Sequence, residues 1–221
     1  MVKVYIAEVS PLADDSLYRK LYERAPIDRR TKADSFLFQK DKMLSIGAWT
    51  LLCYALGQEG ITEFSVGLHE NGKPYLVGRP ELCFNLSHSG RMAMCAVAEQ
   101  EVGCDVEQRA TLDPALAEHV MTAEERGRIY SSQDPGEQEE MFFRLWTLKE
   151  SYMKAVGAGM QLAPDSFGIS FENGRISVRG HENDWDYFFK EYQLDDGYCY
   201  TCCSLSERFA DDMTRVDLRE L

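Results

Sequence analysis

Gly103-Cys104-Asp105-Val106-Glu107 and Trp146-Thr147-Leu148-Lys149-Glu150-Ser151-Tyr152-Met153-Lys154 are the stretches around which this chain is organised. The first follows the apolar, β-prone run Met94 to Ala98 and reads as strand. Side chains at i and i+2 of a strand share a face, which sets the carboxylates of Asp105 and Glu107 side by side. The second has apolar or aromatic residues at Phe142, Phe143, Leu145, Trp146, Leu148 and Met153, the pattern of a helix with a broad buried stripe. Glu150 and Lys154, four apart, share one face of that helix. Three carboxylates that can converge beside a lysine suit a hard divalent cation carrying phosphates. Mg²⁺ takes oxygen ligands, often one or two carboxylates plus phosphate oxygens, and lysine supplies a point charge for the same phosphates. Each motif alone also has a plainer reading, a solvated strand end or a salt-bridged helix exterior.

Upstream, Met1 to Ala7 is strand-like, and Asp14 to Arg24 has helical spacing that Pro26 ends. Arg29, Arg30, Lys32, Lys40 and Lys42 form the most basic region and lead into an apolar helix over Met43 to Leu56, with Gly57 as its cap. By itself such a charge run reads as a solvated face. A strand from about Ile61, the turn Glu70-Asn71-Gly72-Lys73-Pro74 and Tyr75-Leu76-Val77 predict a hairpin. Cys83 to His88 reads as a strand ending in Ser87-His88-Ser89-Gly90, where hydroxyls, an imidazole and a glycine-opened backbone suit an anion. Downstream, a helix is predicted over Leu112 to Met121, Thr122-Ala123-Glu124-Glu125 is a capping box, and a long helix starts at Glu137. A hairpin about Asn173-Gly174 and strands over Tyr187 to Leu194 and Tyr198 to Leu205 follow. No assignment is made for Ser206 to Leu221. The order of elements is an α+β pattern told twice, broken near Gly103, without a visible sequence repeat.

Four of these segments resemble, in order, the motifs of the 4′-phosphopantetheinyl transferases: Gly72-Lys73-Pro74, Phe84-Asn85-Leu86-Ser87-His88-Ser89, Val102 to Glu107, and Trp146 to Lys154. The resemblance implies the larger, single-chain, surfactin-synthetase-activating type. Its fold would be α+β, two similar α/β halves related by a pseudo-twofold with the active site in the cleft between them. The expected division is 1–103, supplying cofactor nucleotide contacts, and 104–221, carrying the metal site and catalytic helix. The reaction implied is transfer of the 4′-phosphopantetheine arm of coenzyme A to a serine of an apo acyl or peptidyl carrier protein, releasing 3′,5′-ADP. Asp105, Glu107 and Glu150 would hold Mg²⁺, Lys154 would stabilise phosphate oxygens, and Glu150 would accept the serine proton directly or through a metal-bound water. Lys73, Ser87, His88 and Lys154, with Arg29, Lys32 and Lys42 from the basic region, would bind coenzyme A. Acceptor contacts are expected near Thr111 to Thr122. A non-catalytic coenzyme A- or carrier-binding module and a Mg²⁺-dependent phosphohydrolase are the alternative functions.

Composition sets the limits. With 221 residues the chain can bury a real core. Its 24 Lys and Arg against 37 Asp and Glu give a net charge of −13, which argues against nucleic acid or an anionic membrane as partner. It also requires a local basic patch if the ligand is polyanionic. No export signal or bilayer-length apolar run is evident. The seven cysteines, odd in number and without framework spacing, read as reduced thiols of a cytoplasmic protein, and Cys199-Tyr200-Thr201-Cys202-Cys203 is not a zinc pattern; the family resemblance implies a monomer.

Overall fold

A strand, three helices, a hairpin and two more strands make the first half of the molecule: β1 (Lys3–Glu8), α1 (Asp15–Arg24), α2 (Ile27–Ser35), α3 (Gln39–Gln58), β2 (Val66–Leu68) with β3 (Pro74–Leu76), β4 (Cys83–Ser89) and β5 (Met92–Ala98). The second half repeats that order with β6 (Val102–Gln108), α4 (Pro114–Val120), α5 (Ala123–Ile129), α6 (Pro135–Val156), β7 (Gly168–Glu172) with β8 (Arg175–Arg179), β9 (Phe188–Tyr192) and β10 (Tyr198–Ser204). This computed structural model describes residues 1–172, 174–181 and 186–221. Asn173 of the predicted hairpin turn lies outside them. The fold is α+β, as expected.

The repeat extends to the ladders. The sheets run β1-β5-β4 and β6-β10-β9, antiparallel throughout. Glu8 pairs with Met92, the first residue of β5, as Gln108 pairs with Tyr198, the first of β10, so residue n of β1 answers to residue n + 100 of β6. Lys3, Tyr5 and Ala7 therefore stand where the second half has Gly103, Asp105 and Glu107. The duplication lives in the ladder and not in the side chains, which is why no repeat is legible in the sequence.

Alternation along the strands builds three cores. One face of each sheet meets the other half, with Val4, Ile6, Met92 and Met94 against Cys104, Val106, Tyr200 and Cys202. The outer face of the first sheet, with Tyr5 and Cys95, lies under α3. The outer face of the second, with Cys203, lies under α6. Adjacent Cys202 and Cys203 thus enter different cores. β5 is buried at every position, which its uniformly apolar sequence anticipates.

Several boundaries moved. α3 starts at Gln39 and not Met43, because Gln39-Lys40-Asp41-Lys42 combines good helix formers with an acid in the first turn. Gly57 falls inside it, and the chain turns instead at Gly60, where φ is +76°. The basic run after Pro26 is itself α2. The strand predicted from Ile61 is only Val66–Leu68. α6 begins at Pro135, with Asp134 accepting from the Glu137 amide. The capping box at Thr122 and Glu125 forms as predicted, and Gly157 ends α6 in the left-handed region at φ +75°. Among the described residues no helix is long and apolar enough to cross a membrane.

The expected division at 103/104 falls two residues inside β6, and residues 206–221 do not stay with the second half. The tail returns to the first sheet, where β11 (Thr214–Arg215) pairs parallel with β1 at Tyr5 and Ile6, and Val216 and Leu218 enter the α3 core. The reason is edge exposure, since β1 would otherwise present an unpaired row of amides and carbonyls. The tail also bridges to the second half, the Tyr192 hydroxyl donating to the Ala210 carbonyl at 3.0 Å.

Two contacts set α6 on its sheet. A Cβ added at Gly103 would lie 2.1 Å from the Ser151 carbonyl oxygen and 2.3 Å from the Ala155 nitrogen, both backbone atoms. On the far side of α6, Lys149 is fully buried. Its ammonium donates to the carbonyls of Pro164 (2.7 Å) and Phe167 (2.6 Å) and pairs with Glu125 at 2.8 Å. The Glu125 carboxylate also accepts from the Thr122 and Ile169 amides. Lys149 therefore ties α5, α6 and the start of β7, and is neither a surface nor a cleft lysine.

Gly103→Ala is expected to lower unfolding free energy by at least about 1–3 kcal/mol, because backbone atoms cannot rotate away from the added methyl. A urea midpoint unchanged from the parent would contradict that packing. Lys149→Met should cost about 3–5 kcal/mol by stranding a buried carboxylate, read in the same denaturation experiment.

Candidate active site

β4 and β6 run side by side in the same direction, and side chains join them in place of a main-chain ladder. Asn85 Oδ1 accepts the Cys104 amide at 3.0 Å, Ser87 Oγ the Val106 amide at 3.4 Å, and Ser89 Oγ the Gln108 amide at 3.2 Å. Polar residues at every second position of β4 thus satisfy alternate N–H groups of β6, as buried backbone donors require. The two serine hydroxyls also donate onward, Ser87 to Asp105 Oδ1 at 2.7 Å and Ser89 to Glu107 Oε2 at 2.6 Å. The first half therefore holds both acids of the second.

α6 lies across the same strand. Because Gly103 lets it approach, Lys154 Nζ reaches Asp105 Oδ1 at 2.5 Å and Ser87 Oγ at 3.0 Å, and stands 4.0 Å from Glu150 Oε2. Asp105 is 2% exposed, and its second oxygen, Oδ2, is buried without a hydrogen-bond partner. Burial acts to raise the Asp105 carboxyl above its ordinary range, against the pull of Lys154 and Ser87. Burial acts to lower the Lys154 ammonium, but the Asp105 carboxylate overrides it and holds the group charged. Glu107 and Glu150 are both pushed up, first by desolvation and then by the charge of Asp105, which brings the three carboxylates into one electrostatic unit.

A cleft of about 530 Å³ opens in front of this unit, with walls from both halves. Arg29, Lys32, Lys73 and His88 line it from the first half, Glu150, Met153 and Lys154 from the second. Phe36, Val66, Leu68 and Leu86 give it apolar surface. The Arg29 guanidinium stacks 4.9 Å from the Trp49 ring centre, and its Nε is buried without a partner. Desolvation lowers the Arg29 and Lys32 pKa values, Lys32 being pushed further by Arg29. The His88 imidazole is driven down by desolvation and then by the charge of Lys154, with Lys32 adding to it. Arg29 and Lys32, with the neutral His88 imidazole beside them, give an acidic chain one basic wall, as a polyanionic ligand would need.

The structure thus brings together Arg29, Lys32, His88, Glu150 and Lys154. Ser87 and Asp105 stand behind Lys154 and do not line the cleft. Lys73 contributes its stem, while its ammonium pairs with Glu101 and donates to the Ala155 carbonyl at the end of α6 at 2.6 Å. Lys42, half-buried on α3, is not among the lining residues. Residues 111–122 form α4 and its flanks, with Leu116 44% exposed. Among the described residues no three His, Cys, Asp or Glu side chains form a cluster ready to hold a metal. The reason lies in the contacts above: the Lys154 ammonium sits between Asp105 and Glu150 as a counter-charge. The donor set nonetheless fits a hard cation, being all oxygen, short of positive charge and carrying an unpartnered buried oxygen at Asp105. From sequence alone, Asn85, Ser89 and Gly103 are not assigned to building the site, Ser89 entering it only as a hydroxyl of the anion-suited segment. The signal that could have found the first two is the period-2 polar stripe Asn85, Ser87, Ser89 on a strand that is otherwise apolar.

Residues 101–203 match the family model described as the 4′-phosphopantetheinyl transferase superfamily. The 4′-phosphopantetheinyl transferase Sfp of Bacillus subtilis (strain 168) is 33% identical to this chain, over 69% of this chain and 68% of its own length. The 4′-phosphopantetheinyl transferase psf-1 of Bacillus pumilus is 30% identical over 92% and 90%. Among solved structures, the holo-[acyl-carrier-protein] synthase of Thermotoga maritima aligns over 49% of this chain and 64% of its own, with a TM-score of 0.41 and 19% identity.

The raised pKa of Glu107 has a measurable sign. Its folded-state value lies above the usual 4.5, so the ionised carboxylate opposes folding at pH values above that point. Glu107→Gln keeps an acceptor for Ser89 and removes the charge, so without added metal the variant should be more stable than the parent at pH 7. The difference should vanish as pH falls below 4.5, where both states of the parent are protonated. Urea midpoints across that range check it; a variant less stable than the parent at pH 7 would contradict the assignment.

Proposed function

Because the chain belongs to the 4′-phosphopantetheinyl transferase superfamily, we propose that it moves the 4′-phosphopantetheine arm of coenzyme A to a serine of an apo acyl or peptidyl carrier protein, in the cleft between its halves. The observation that carries this reading is the position of Lys154, held charged against Asp105 while lining the cleft beside Glu150 and facing a basic wall. The serine oxygen attacks the β-phosphorus, which bears the pantetheine arm; the bond to the bridging pyrophosphate oxygen breaks, and 3′,5′-ADP leaves. Asp105, Glu107 and Glu150 would hold Mg²⁺, which offsets charge on the pyrophosphate when bound.

The protein's own groups do the rest. Lys154 sits where negative charge grows on the transferring and leaving oxygens, and needs no reorientation to meet it. Glu150 accepts the serine proton, a task favoured by a carboxyl whose pKa is raised toward the working pH. Arg29, Lys32 and His88 face the nucleotide phosphates, and the apolar wall about Phe36 and Leu68 faces the arm. Ser87 acts through Asp105 and Lys154. Lys73 braces the last turn of α6 with its stem toward the ligand. Both walls come from one chain, which supports action as a monomer, divided functionally near residue 103. The free thiols fit a cytoplasmic setting. The matched relatives named above are transferases, which favours transfer over the phosphohydrolase and the non-catalytic module.

Incubation with coenzyme A, Mg²⁺ and a panel of apo-carrier proteins should add a phosphopantetheine mass to a carrier serine. Nucleotide release without that mass would mean hydrolysis, and neither would mean a binding module. Asp105→Ala should abolish the gain. Lys154→Ala should lower kcat by about a hundred- to a thousandfold, as loss of one preorganised donor does.

A further inference from the structure

The side-chain seam between β4 and β6 has a role beyond joining the halves. Ser89 is the one seam residue whose hydroxyl reaches Glu107, donating to Oε2 at 2.6 Å while it accepts the Gln108 amide at 3.2 Å. With its acceptor side taken by that amide, the hydroxyl proton has a fixed direction, toward the carboxylate. Glu107 is also approached by the Trp146 indole and the Lys154 charge from α6, and by Asp105 two residues earlier on its own strand. Ser89 is the only one of these that comes from the first half. A carboxylate on a strand has two free side-chain torsions after its first, and nothing else from β4 restrains them.

We propose that Ser89 is the positioning residue for Glu107, holding one carboxylate oxygen across the seam so that the other is aimed at the divalent cation of the transfer reaction. The inference rests on the reading of Glu107 as a ligand. Outer partners of this kind fix ligand orientation, and their loss typically weakens metal binding about 10–100-fold. The neighbouring seam hydroxyl, Ser87, serves Asp105 in the same way but also meets Lys154, so its removal would mix two effects. Ser89 isolates one.

The test measures Mn²⁺ affinity by electron paramagnetic resonance and Mg²⁺ affinity by calorimetry, with coenzyme A present, on Ser89→Thr, Ser89→Val and Glu107→Gln. Thr keeps the hydroxyl and Val matches Thr in shape without it; because Val also leaves the Gln108 amide without its acceptor, affinities are compared on variants whose urea midpoints show the fold intact. Ser89→Val is expected to weaken metal binding about 10–100-fold and raise the KM for Mg²⁺ by the same factor, with the KM for coenzyme A and the kcat at saturating Mg²⁺ close to the parent. Ser89→Thr should restore parental affinity. Equal affinities for Ser89→Thr and Ser89→Val, with Glu107→Gln weakened, would overturn the positioning role alone. Unchanged affinity in Glu107→Gln would overturn the ligand reading and the proposal with it.

Discussion

Residue 103 carries a hydrogen where every other L-amino acid carries a carbon, and the site depends on that atom. The peptide groups of Ser151 and Ala155 occupy the space a Cβ would fill. α6 therefore descends until Lys154 touches Asp105, and the i, i+4 spacing then places Glu150 over the same cleft. Lys149, one residue from Glu150, is driven to the opposite side of the helix, where Glu125 and two carbonyls receive it. The helix is thus pinned from both faces, by contact with a glycine on one and by a buried ion pair on the other. An ion pair of this kind contributes little net stability against an apolar substitute, so its value lies in fixing the rotation of α6.

The duplicated ladder explains why only one of two equivalent places carries the acidic cluster. Asp105 meets Lys154 in the second half; the corresponding Tyr5 of the first packs edge-on against Tyr54, with ring centres 5.9 Å apart. Lys3, in the place of Gly103, carries a side chain there and pairs with Glu59, just past the end of α3, at 2.7 Å. Beside β6 runs the polar stripe of β4; beside β1 runs the tail. Ser87 corresponds through the ladder to Tyr192, whose hydroxyl grips the tail at Ala210. The same architecture yields an open, polar seam on one side and a filled, closed one on the other.

What could be read in advance was local. The strand carrying Asp105 and Glu107, the helix carrying Glu150 and Lys154, the hairpins and the Thr122–Glu125 capping box all announce themselves by periodicity or by turn chemistry within a few residues. What could not be read depends on partners far off in the chain. The stripe Asn85, Ser87, Ser89 looks the same whether it faces water or another strand's amides. A lysine such as Lys149 reads as surface until Glu125 is brought against it by the α5 cap. The sequence sets Lys154 beside three carboxylates but does not reveal that its ammonium pairs with Asp105 and stands 4.0 Å from Glu150. Lys42 belongs to the same basic run as Arg29 and Lys32, yet helical rotation on α3 takes it away from the lining of the cleft.

The parallel pairing of Tyr5 and Ile6 with Thr214 and Arg215 joins segments more than 200 residues apart in the chain. As the chain leaves the ribosome, β1 can pair with β5 on one side once about 100 residues have emerged, but its other edge stays bare until the tail follows. At about 5–20 residues per second that interval, from Ala98 to Thr214, lasts roughly six to twenty-three seconds. Throughout it the nascent first half displays an open row of peptide groups next to Val2, Val4 and Ile6, the combination that invites pairing with other nascent chains. The cleft waits as well: β4, β6 and α6 are complete by residue 156, but the ladder partner of β6 is β10, Tyr198–Ser204, and Lys149 is held by a carbonyl as late as Phe167. The second sheet therefore closes only about ten residues before the tail reaches β1, so both seals fall at the end of the same interval.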